Sequence, residues 1–217
     1  MQQPQQTDKK QPGALKDHVY RTIIEMICSG ELNSSDIFTE KQMIEKFGVS
    51  KSPVREALTQ LCHEEALHSI PRRGYQVVEI GVQKIHDLTE LRLLLELSSL
   101  KKLTEKLDDE KLQQLRGLAR SKQRDVWAAW HHNNHFHLRL ASYAGNQQVT
   151  EELNRAIRTC TRAYAQLFSI QPAVISTEKE NYHEKIVSAL ERHEIFTAHL
   201  LLKKDILLME ELLLTQV

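Results

Sequence analysis

The fold of this chain is decided by residues 39–61, TEKQMIEKFGVSKSPVREALTQL, which have the pattern of two short helices joined by a tight turn. Thr39 and Gln42 have the spacing of a capping box at the start of the first helix. Gly48 follows the last turn of that helix, where a left-handed residue ends a helix at least cost. Pro53 suits the first position of the second helix, where its missing N–H does no harm. The stretch therefore predicts a helix-turn-helix, whose second helix can enter the major groove of DNA.

The second of these helices has an apolar side and a polar side. Its apolar residues recur at helical spacing and are Val54, Ala57, Leu58 and Leu61. Lys51, Ser52 and Arg55 lie off this stripe, at the start of the helix. An ordinary helical hairpin with solvated basic residues is the alternative, and these two helices alone favour neither interpretation.

The flanking sequence favours DNA binding. Upstream, residues 19–28 have a third helical pattern that ends near a glycine. Downstream, residues 67–70 and 75–78 have the pattern of short strands, and the turn PRRG between them places Arg72 and Arg73 at its tip. Three helices followed by a basic hairpin make a winged helix, whose wing can reach the neighbouring groove or phosphates.

Residues 15–79 closely resemble the DNA-binding domain of GntR-type bacterial transcriptional regulators. The resemblance is carried by GELNSSDIFTEKQMIEKFGVSKSPVREALTQLCHEEAL and PRRGYQVV, and VSKSPVREAL is its most specific part. It implies that the residues contacting DNA are Lys41, Lys51, Ser52, Arg55, Arg73 and Gly74. The chain departs from the family at 33–35, Asn-Ser-Ser in place of a Pro-Gly turn, and at 65–66, Glu-Ala in place of Glu-Gly. Both departures fall in loops or helix ends, so they concern local geometry.

Composition limits the class of protein and the number of domains that the chain can form. Its 217 residues, 41% hydrophobic and 27% charged, are typical of a globular protein with two modest domains or one large one. We find no apolar run of membrane-spanning length, and the polar, Gln-rich start is not a signal peptide. Cys28, Cys62 and Cys160 are widely spaced, which predicts buried free thiols of a reduced cytoplasm.

The balanced charge of the N-terminal half predicts that a single copy of the chain binds DNA weakly. Residues 1–78 contain ten cations and ten acids, so this half is not basic overall. Non-specific affinity scales with the number of phosphates neutralised. A homodimer would double the contacts and read a two-fold symmetric operator in double-stranded DNA.

The predicted fold is mainly α, in three parts. Residues 1–13 are rich in Gln, Pro and Lys and are predicted to be a disordered tail. Residues 14–79 are predicted to be the winged helix-turn-helix, with a small β-hairpin as its wing. After a short linker, residues 84–217 are predicted to be an all-α antiparallel bundle for effector binding and dimerisation. The helices predicted there are 82–107, one that opens at 108–110, 126–143, 148–169, 177–192 and 195–214.

Histidines crowd residues 131–137, HHNNHFH. Asn133 and His137 are four residues apart and share a helix face, while His183 and Asp205 lie on two later helices. Imidazole and carboxylate groups brought together inside a bundle suit Zn, Ni, Fe or Mn. Because the chain has 11 histidines, chance pairs are numerous, and surface histidine is the alternative.

Residues 84–213 are similar to the FCD ligand-binding domain, which accompanies one large GntR subfamily. The similarity is carried by LTELRLLLELSSL, NNHFHLRLASYAGN and NYHEKIVSALERHE. In many FCD domains an Asp and three His hold a divalent metal that helps to bind a small organic acid. His137 and His183 match two of these positions, whereas Asn133 replaces the Asp and Asp205 replaces the third His.

The resemblance thus implies an altered metal site. Asn133 would ligate through its amide oxygen and Asp205 through its carboxylate, and the alternative is that the four groups form a metal-free hydrogen-bonded network. Arg92 takes the place of an Arg that recurs in the family and is predicted to bind a carboxylate effector. A solvated cationic face is predicted for Arg155, Arg158 and Arg162.

The predicted function is a cytoplasmic bacterial transcriptional regulator whose operator binding is controlled by a small organic acid. Repression released by the effector is the commoner arrangement for this resemblance. One alternative is a metal-dependent enzyme that uses His137, His183 and Asp205, although the winged helix and the lack of a separate acid–base or nucleophile set count against it. Another is a regulator with a non-functional metal pocket, switched by a partner or by redox state.

Overall fold

The computed structural model describes residues 12–120, 126–170 and 181–214. The chain divides into two compact units between Glu79 and Ile80. The mainly α fold with a small sheet, which the sequence predicts, is confirmed. Of the predicted disordered tail, residues 1–11 lie outside the described residues, and the first helix begins at Pro12.

The described part of the N-terminal unit contains three helices and a three-stranded sheet. The helices are α1 (Pro12–Cys28), α2 (Glu40–Phe47) and α3 (Lys51–His63), and the strands are β1 (Ile37–Phe38), β2 (Leu67–Ile70) and β3 (Gly74–Val77). Strand β3 lies in the middle and is antiparallel to both neighbours. The predicted hairpin is confirmed, and β1 is an additional strand.

The core of the N-terminal unit orients α3. Val19 and Ile23 of α1 and Leu58 and Leu61 of α3 are completely buried, as the helical spacing of these apolar residues predicts. Full burial of one such side chain contributes about 1.5–3 kcal/mol relative to exposure. The opposite side of α3 is therefore held towards solvent.

The ends of α2 and α3 follow the sequence signals, with one exception. Gln42 N donates to Thr39 Oγ1 at 3.2 Å, and Thr39 N donates to Gln42 Oε1 at 2.7 Å, so the capping box is confirmed. Gly48 ends α2 with a φ of 62°. The prediction that Pro53 is the first helical residue is wrong, because α3 begins at Lys51. The missing N–H of Pro53 still costs nothing, since the first four N–H groups of a helix have no partner within it.

Gly74 lies where β3 passes close to the end of β1. A Cβ at this position would be 2.2 Å from Phe38 O, and the φ of Gly74 is +132°. Gly74→Ala should therefore push β3 from β1 and destabilise the N-terminal unit by about 1–3 kcal/mol. Circular dichroism melting checks this, with Gly13→Ala as the control because nothing lies within 4 Å of its added Cβ. Equal melting of the two variants would contradict the close fit.

The described part of the C-terminal unit is entirely helical. The helices are α4 (Val82–Leu103), α5 (Asp109–Arg120), α6 (Val126–Ser142), α7 (Gln147–Ile170), α8 (Tyr182–Glu191) and α9 (Ile195–Leu214). The six predicted helices are confirmed. Helix α4 ends earlier than predicted, and the predicted start of the fifth helix at 177 lies outside the described residues. Within the described ranges, no helix has the length and apolarity needed to cross a membrane.

Helix α4 positions the polar groups of the C-terminal unit. It packs against α6, α7 and α9. Leu100 and Leu103 near its end are buried in a core with Phe136 of α6. Because α4 is enclosed by three helices, the charged side chains of Arg92 and Glu96 on it are buried as well.

The three cysteines are free thiols, as predicted. Cys160 is buried, whereas Cys28 and Cys62 are only partly buried, so the prediction of burial is too strong for these two. Burial raises the pKa of the Cys62 and Cys160 thiols. A redox sensor needs a lowered thiol pKa, so these two thiols give no support to a redox switch.

Candidate DNA-binding surface and candidate metal centre

The exposed side of α3 carries three of the residues predicted to contact DNA. Lys51, Ser52 and Arg55 are all exposed there. Ser52 Oγ donates to Glu56 Oε1 at 2.7 Å. Glu40, at the start of α2, accepts a hydrogen bond from Arg55 Nε at 3.2 Å and lies 3.5 Å from Lys51 Nζ. The packing of α3 thus presents these polar groups on one solvent-facing surface.

The other predicted DNA contacts lie on α2 and the wing. Lys41 is exposed and pairs loosely with Glu45 at 3.8 Å. Arg72 and Arg73 are exposed at the wing tip, where Arg73 N donates to Ile70 O at 3.0 Å. Gly74, which is partly buried, follows them. Lys41 thus lies in the first turn of α2, Arg72 and Arg73 lie in the wing turn, and Gly74 begins β3.

Three side chains from three helices converge in the C-terminal unit. Asp205 Oδ2 of α9 lies 3.2 Å from Nε2 of His137 (α6) and 3.2 Å from Nε2 of His183 (α8). Potential ligand atoms of the three residues all lie within 4.8 Å of one another. His137 and Asp205 are buried, and the side chain of His183 is 12% exposed.

The converging atoms have no hydrogen-bond partners. His137 Nε2, His183 Nε2 and Asp205 Oδ2 are buried, and they contact one another at ion-pair distance without forming a hydrogen bond. Unpaired buried polar atoms are costly and rare. A tetrahedral metal with ligands at about 2.0–2.1 Å separates its ligand atoms by about 3.3 Å, close to the two distances of 3.2 Å from Asp205 Oδ2. These residues therefore fit a metal ion and could hold one.

Glu96 of α4 supports His137 from the other side of the imidazole. Glu96 Oε2 lies 2.5 Å from His137 Nδ1, and Glu96 Oε1 accepts a hydrogen bond from Arg92 Nε at 2.8 Å. The side chains of Glu96 and His137 are completely buried, and that of Arg92 is almost so. A carboxylate that holds the Nδ1 proton leaves Nε2 as the metal-binding atom, an arrangement that recurs behind metal-bound histidines.

The charges of this cluster are set by burial and by the carboxylates. Burial lowers the pKa of His137, but Glu96 and Asp205 outweigh it and raise the pKa to about 9 in the absence of a cation. Burial lowers the pKa of His183. Burial raises the pKa of Asp205, but the two imidazoles outweigh it and hold that pKa well below its usual range. A cation that binds here at pH 7 must displace the His137 proton, so binding releases a proton.

Asn133 and Arg92, also predicted site residues, each have an unpaired polar atom. Asn133 Nδ2 and Arg92 Nη2 are buried without a hydrogen-bond partner among the described residues. Because an amide carries an oxygen and a nitrogen on the same carbon, reversing the Asn133 side chain would exchange donor for acceptor. Arg92 uses Nε for Glu96, which leaves Nη2 as a buried donor.

The predicted solvated arginine face is partly wrong. Arg155 and Arg158 are exposed, but Arg162 is buried, at 4% exposure. Every side chain from Cys160 to Tyr164 is buried, so α7 is enclosed on all sides at this level. Spacing on one helix cannot show that a neighbour covers its polar side.

Sequence reasoning missed two acids, Glu40 and Glu96. Glu40 meets partners on another helix, which no local spacing rule indicates. Glu96 had a usable signal, because Arg92 and Glu96 are an i,i+4 pair of opposite charge within a leucine-rich helix.

Comparison with known proteins finds a matching family model for each half of the chain. The family model "Bacterial regulatory proteins, gntR family" matches residues 15–77, and the FCD domain model matches residues 87–206. The HTH-type transcriptional regulator McbR of Escherichia coli (strain K12) is 25% identical over 183 residues, which are 82% of this chain and 83% of McbR. The gluconate operon transcriptional repressor of Bacillus subtilis is 38% identical over 86 residues, 40% of this chain and 35% of that protein. The match to the Bacillus subtilis regulator YdhC, 28% identical over 105 residues, covers 48% of this chain and 46% of YdhC.

Solved structures share the fold. The structure of Escherichia coli McbR/YncC matches with a TM-score of 0.75 at 20% identity, covering 93% of this chain and 98% of that one. A GntR regulator from Rhodococcus sp. RHA1 matches with a TM-score of 0.73 at 20% identity, covering 94% and 99%. The family and the named relatives are transcriptional regulators rather than enzymes, which removes the enzyme alternative. This chain belongs to the GntR family of bacterial transcriptional regulators, in the group that carries an FCD domain.

Proposed function

We propose that this regulator is a homodimeric repressor, released from its operator by a small organic acid bound at a divalent metal in the C-terminal unit. The observation that carries the proposal is the convergence of three buried ligand atoms that contact one another without a hydrogen bond, on His137, His183 and Asp205. In a helical unit with a completed hydrogen-bond network these atoms would have partners. A metal ion would give all three a partner at once.

The residues that would hold the metal are His137, His183 and Asp205, with Asn133 as a fourth ligand through its amide oxygen. Two imidazoles and a carboxylate suit Zn, Ni, Mn or Fe. Bound there, the metal would supply a Lewis acid that anchors a carboxylate. Glu96 would hold the His137 ring in place and keep its Nε2 directed at the site.

Charge supports a small acid as the effector. Arg92 and Glu96 cancel each other, and Asp205 cancels one charge of a divalent metal. The remaining positive charge in a buried site suits one carboxylate, because an uncompensated buried charge is costly. Arg92 Nη2 would donate to that carboxylate, as arginine commonly does.

Dimerisation is supported by the charge balance and by an apolar surface. An N-terminal unit with balanced charge gains affinity for DNA mainly by doubling its contacts. Apolar side chains are exposed on the two neighbouring helices α4 and α9, at Leu91, Leu94, Phe196 and Leu200. A second copy would cover them. A bacterial regulator of this kind would act in the cytoplasm, where its DNA is.

Release of the operator requires only that the effector favour one arrangement of the protein over another, by its difference in affinity for the two. Repression is supported by the relative that represses the gluconate operon, which matches 40% of this chain. The effector is expected to be a small carboxylic acid.

Metal content measured by inductively coupled plasma mass spectrometry tests whether His137, His183 and Asp205 bind a metal ion. Untagged protein purified without chelator should contain about one Zn, Ni, Mn or Fe per chain. His137→Ala should lose the metal, because it removes a buried ligand. His135→Ala is the control, since His135 is exposed on the same helix. Absence of metal even after it is added back would overturn the metal proposal.

Fluorescence anisotropy of a labelled operator duplex, selected from a random library by the protein itself, then tests the effector. A panel of small carboxylates should include at least one that weakens binding by metal-loaded protein and fails to do so with His137→Ala. A metal-loaded protein that no carboxylate releases would contradict the effector class while leaving the metal site intact.

A further inference from the structure

An acidic residue, Glu40, lies inside the basic surface predicted to face DNA. Its carboxylate accepts a hydrogen bond from Arg55 Nε at 3.2 Å and lies 3.5 Å from Lys51 Nζ. Both partners are on α3, whereas Glu40 is the first residue of α2. The Glu40 side chain is 20% exposed, and those of Lys51 and Arg55 are 63% and 59% exposed.

We infer that Glu40 determines DNA specificity, by positioning Arg55 for base contact and by opposing the use of Lys51 and Arg55 as free phosphate-binding cations. The inference is independent of the metal centre. It uses only the family's DNA-binding function and the contacts of these three residues.

Positioning follows from the geometry of the guanidinium. Glu40 holds the Nε side of Arg55, so the edge formed by Nη1 and Nη2 is left for another partner. That edge matches O6 and N7 of guanine, which arginine reads bidentately in the major groove. An arginine that is already held loses less conformational freedom when it binds.

Opposition to phosphate binding follows from charge. Lys51 and Arg55 share one carboxylate, so together they present a single net positive charge. A phosphate that takes either cation must compete with Glu40 and approach its negative charge. Base edges carry no net charge and face a smaller penalty. Glu40 should therefore weaken binding to arbitrary DNA more than binding to the operator.

The backbone that carries Glu40 is fixed on both sides. The capping box of Thr39 and Gln42 sets the first turn of α2. Gly74 of the wing approaches Phe38, two residues before Glu40, so closely that no Cβ would fit. An exposed ion pair contributes little to stability, so a purely stabilising role would not require this placement.

Binding isotherms at several salt concentrations test the inference, with Glu45→Gln as the matched control for Glu40→Gln. Glu45 lies on the same helix and pairs with Lys41 at 3.8 Å, so each variant removes one acid and frees at least one basic side chain. The probes are two fluorescein-labelled duplexes of equal length, one of scrambled sequence and one selected from a random library by the wild-type protein.

Glu40→Gln should bind the scrambled duplex about 3- to 10-fold more tightly. Its plot of log affinity against log salt should be steeper by about 0.9 for each freed cation that reaches a phosphate. Its preference for the selected duplex should fall about tenfold. Glu45→Gln should tighten both duplexes alike and keep the wild-type preference.

Glu40→Asp separates the two effects, because it keeps the charge but shortens the reach towards Arg55. It should lose preference for the selected duplex without gaining affinity for the scrambled one. Equal changes on both duplexes in Glu40→Gln, or a wild-type preference in both Glu40 variants, would overturn the inference. A lower melting temperature with an unchanged preference would also overturn it, because it would show a structural role only.

Discussion

Glu96→Ala is expected to lower the free energy of unfolding of the C-terminal unit by about 3–5 kcal/mol, because it leaves buried charges without their partner. Arg92 Nε would lose its acceptor, and His137 Nδ1 would lose the carboxylate that now lies 2.5 Å away. Urea denaturation of metal-free protein, followed by circular dichroism, measures the change.

Glu90→Ala is the matched control, since Glu90 is exposed on the same helix. It should change stability by no more than about 0.5 kcal/mol. Glu96→Gln should fall between the two, because it keeps the shape of the side chain without its charge. If Glu96→Ala unfolded at the same urea concentration as Glu90→Ala, the contacts of Glu96 with Arg92 and His137 would not contribute the proposed stability.

The same variant has a signature in pH. The pKa of His137 is raised from its usual 6.5 to about 9 by the carboxylates, which outweigh its burial. Stabilisation by its charged form is therefore fully present below about pH 6.5 and is lost as pH rises through about 9. Glu96→Ala should flatten this alkaline loss, because the stronger of the two carboxylate contacts is gone.

Arg55→Ala is expected to weaken binding to the selected operator duplex by at least about 30-fold. One bidentate contact to a base pair is worth about 1–3 kcal/mol, and a homodimer would lose two of them. At about 1.4 kcal/mol for each factor of ten, the loss spans about 30-fold to 10⁴-fold. Anisotropy with the selected duplex measures it.

Arg21→Ala removes the same charge from α1, where Arg21 Nε donates to Asp17 O on an exposed surface. It should leave operator affinity within about threefold, as expected for an exposed charge outside the predicted DNA contacts, because salt screens its effect. Should the two variants bind the operator equally well, Arg55 would not be a base-reading residue.

The fold of the DNA-binding unit could be predicted from the sequence because its signals are local. The capping box at Thr39, the left-handed Gly48 and the wing turn each act within a few residues, so one short window contains the cause and its effect. Strand β1 was missed because its pairing with β3 joins residues far apart in the chain, such as Phe38 and Tyr75. The contact of Glu40 with Arg55 was missed for the same reason.

The candidate metal centre was readable only through family resemblance. Spacing puts Asn133 and His137 on one helix face, but it cannot bring α6, α8 and α9 together. The resemblance pointed to His183 and Asp205, and the structure brings both to His137. It did not point to Glu96, whose i,i+4 spacing from Arg92 indicates a pair but not its burial, which follows from the enclosure of α4 by its neighbours. Arg162 shows the same limit, because its burial depends on what covers α7.

The three converging side chains lie on three separate helices, α6, α8 and α9, and this affects how freely the chain can unfold. One ion held by all of them would be a reversible cross-link, closing two loops of chain at once. Closing a loop restricts the unfolded chain more than the folded one. Metal binding at the site would therefore make unfolding of the C-terminal unit more cooperative and slower. In a regulator built in this way, metal binding would reduce the flexibility of the C-terminal unit without any large displacement of the three ligands.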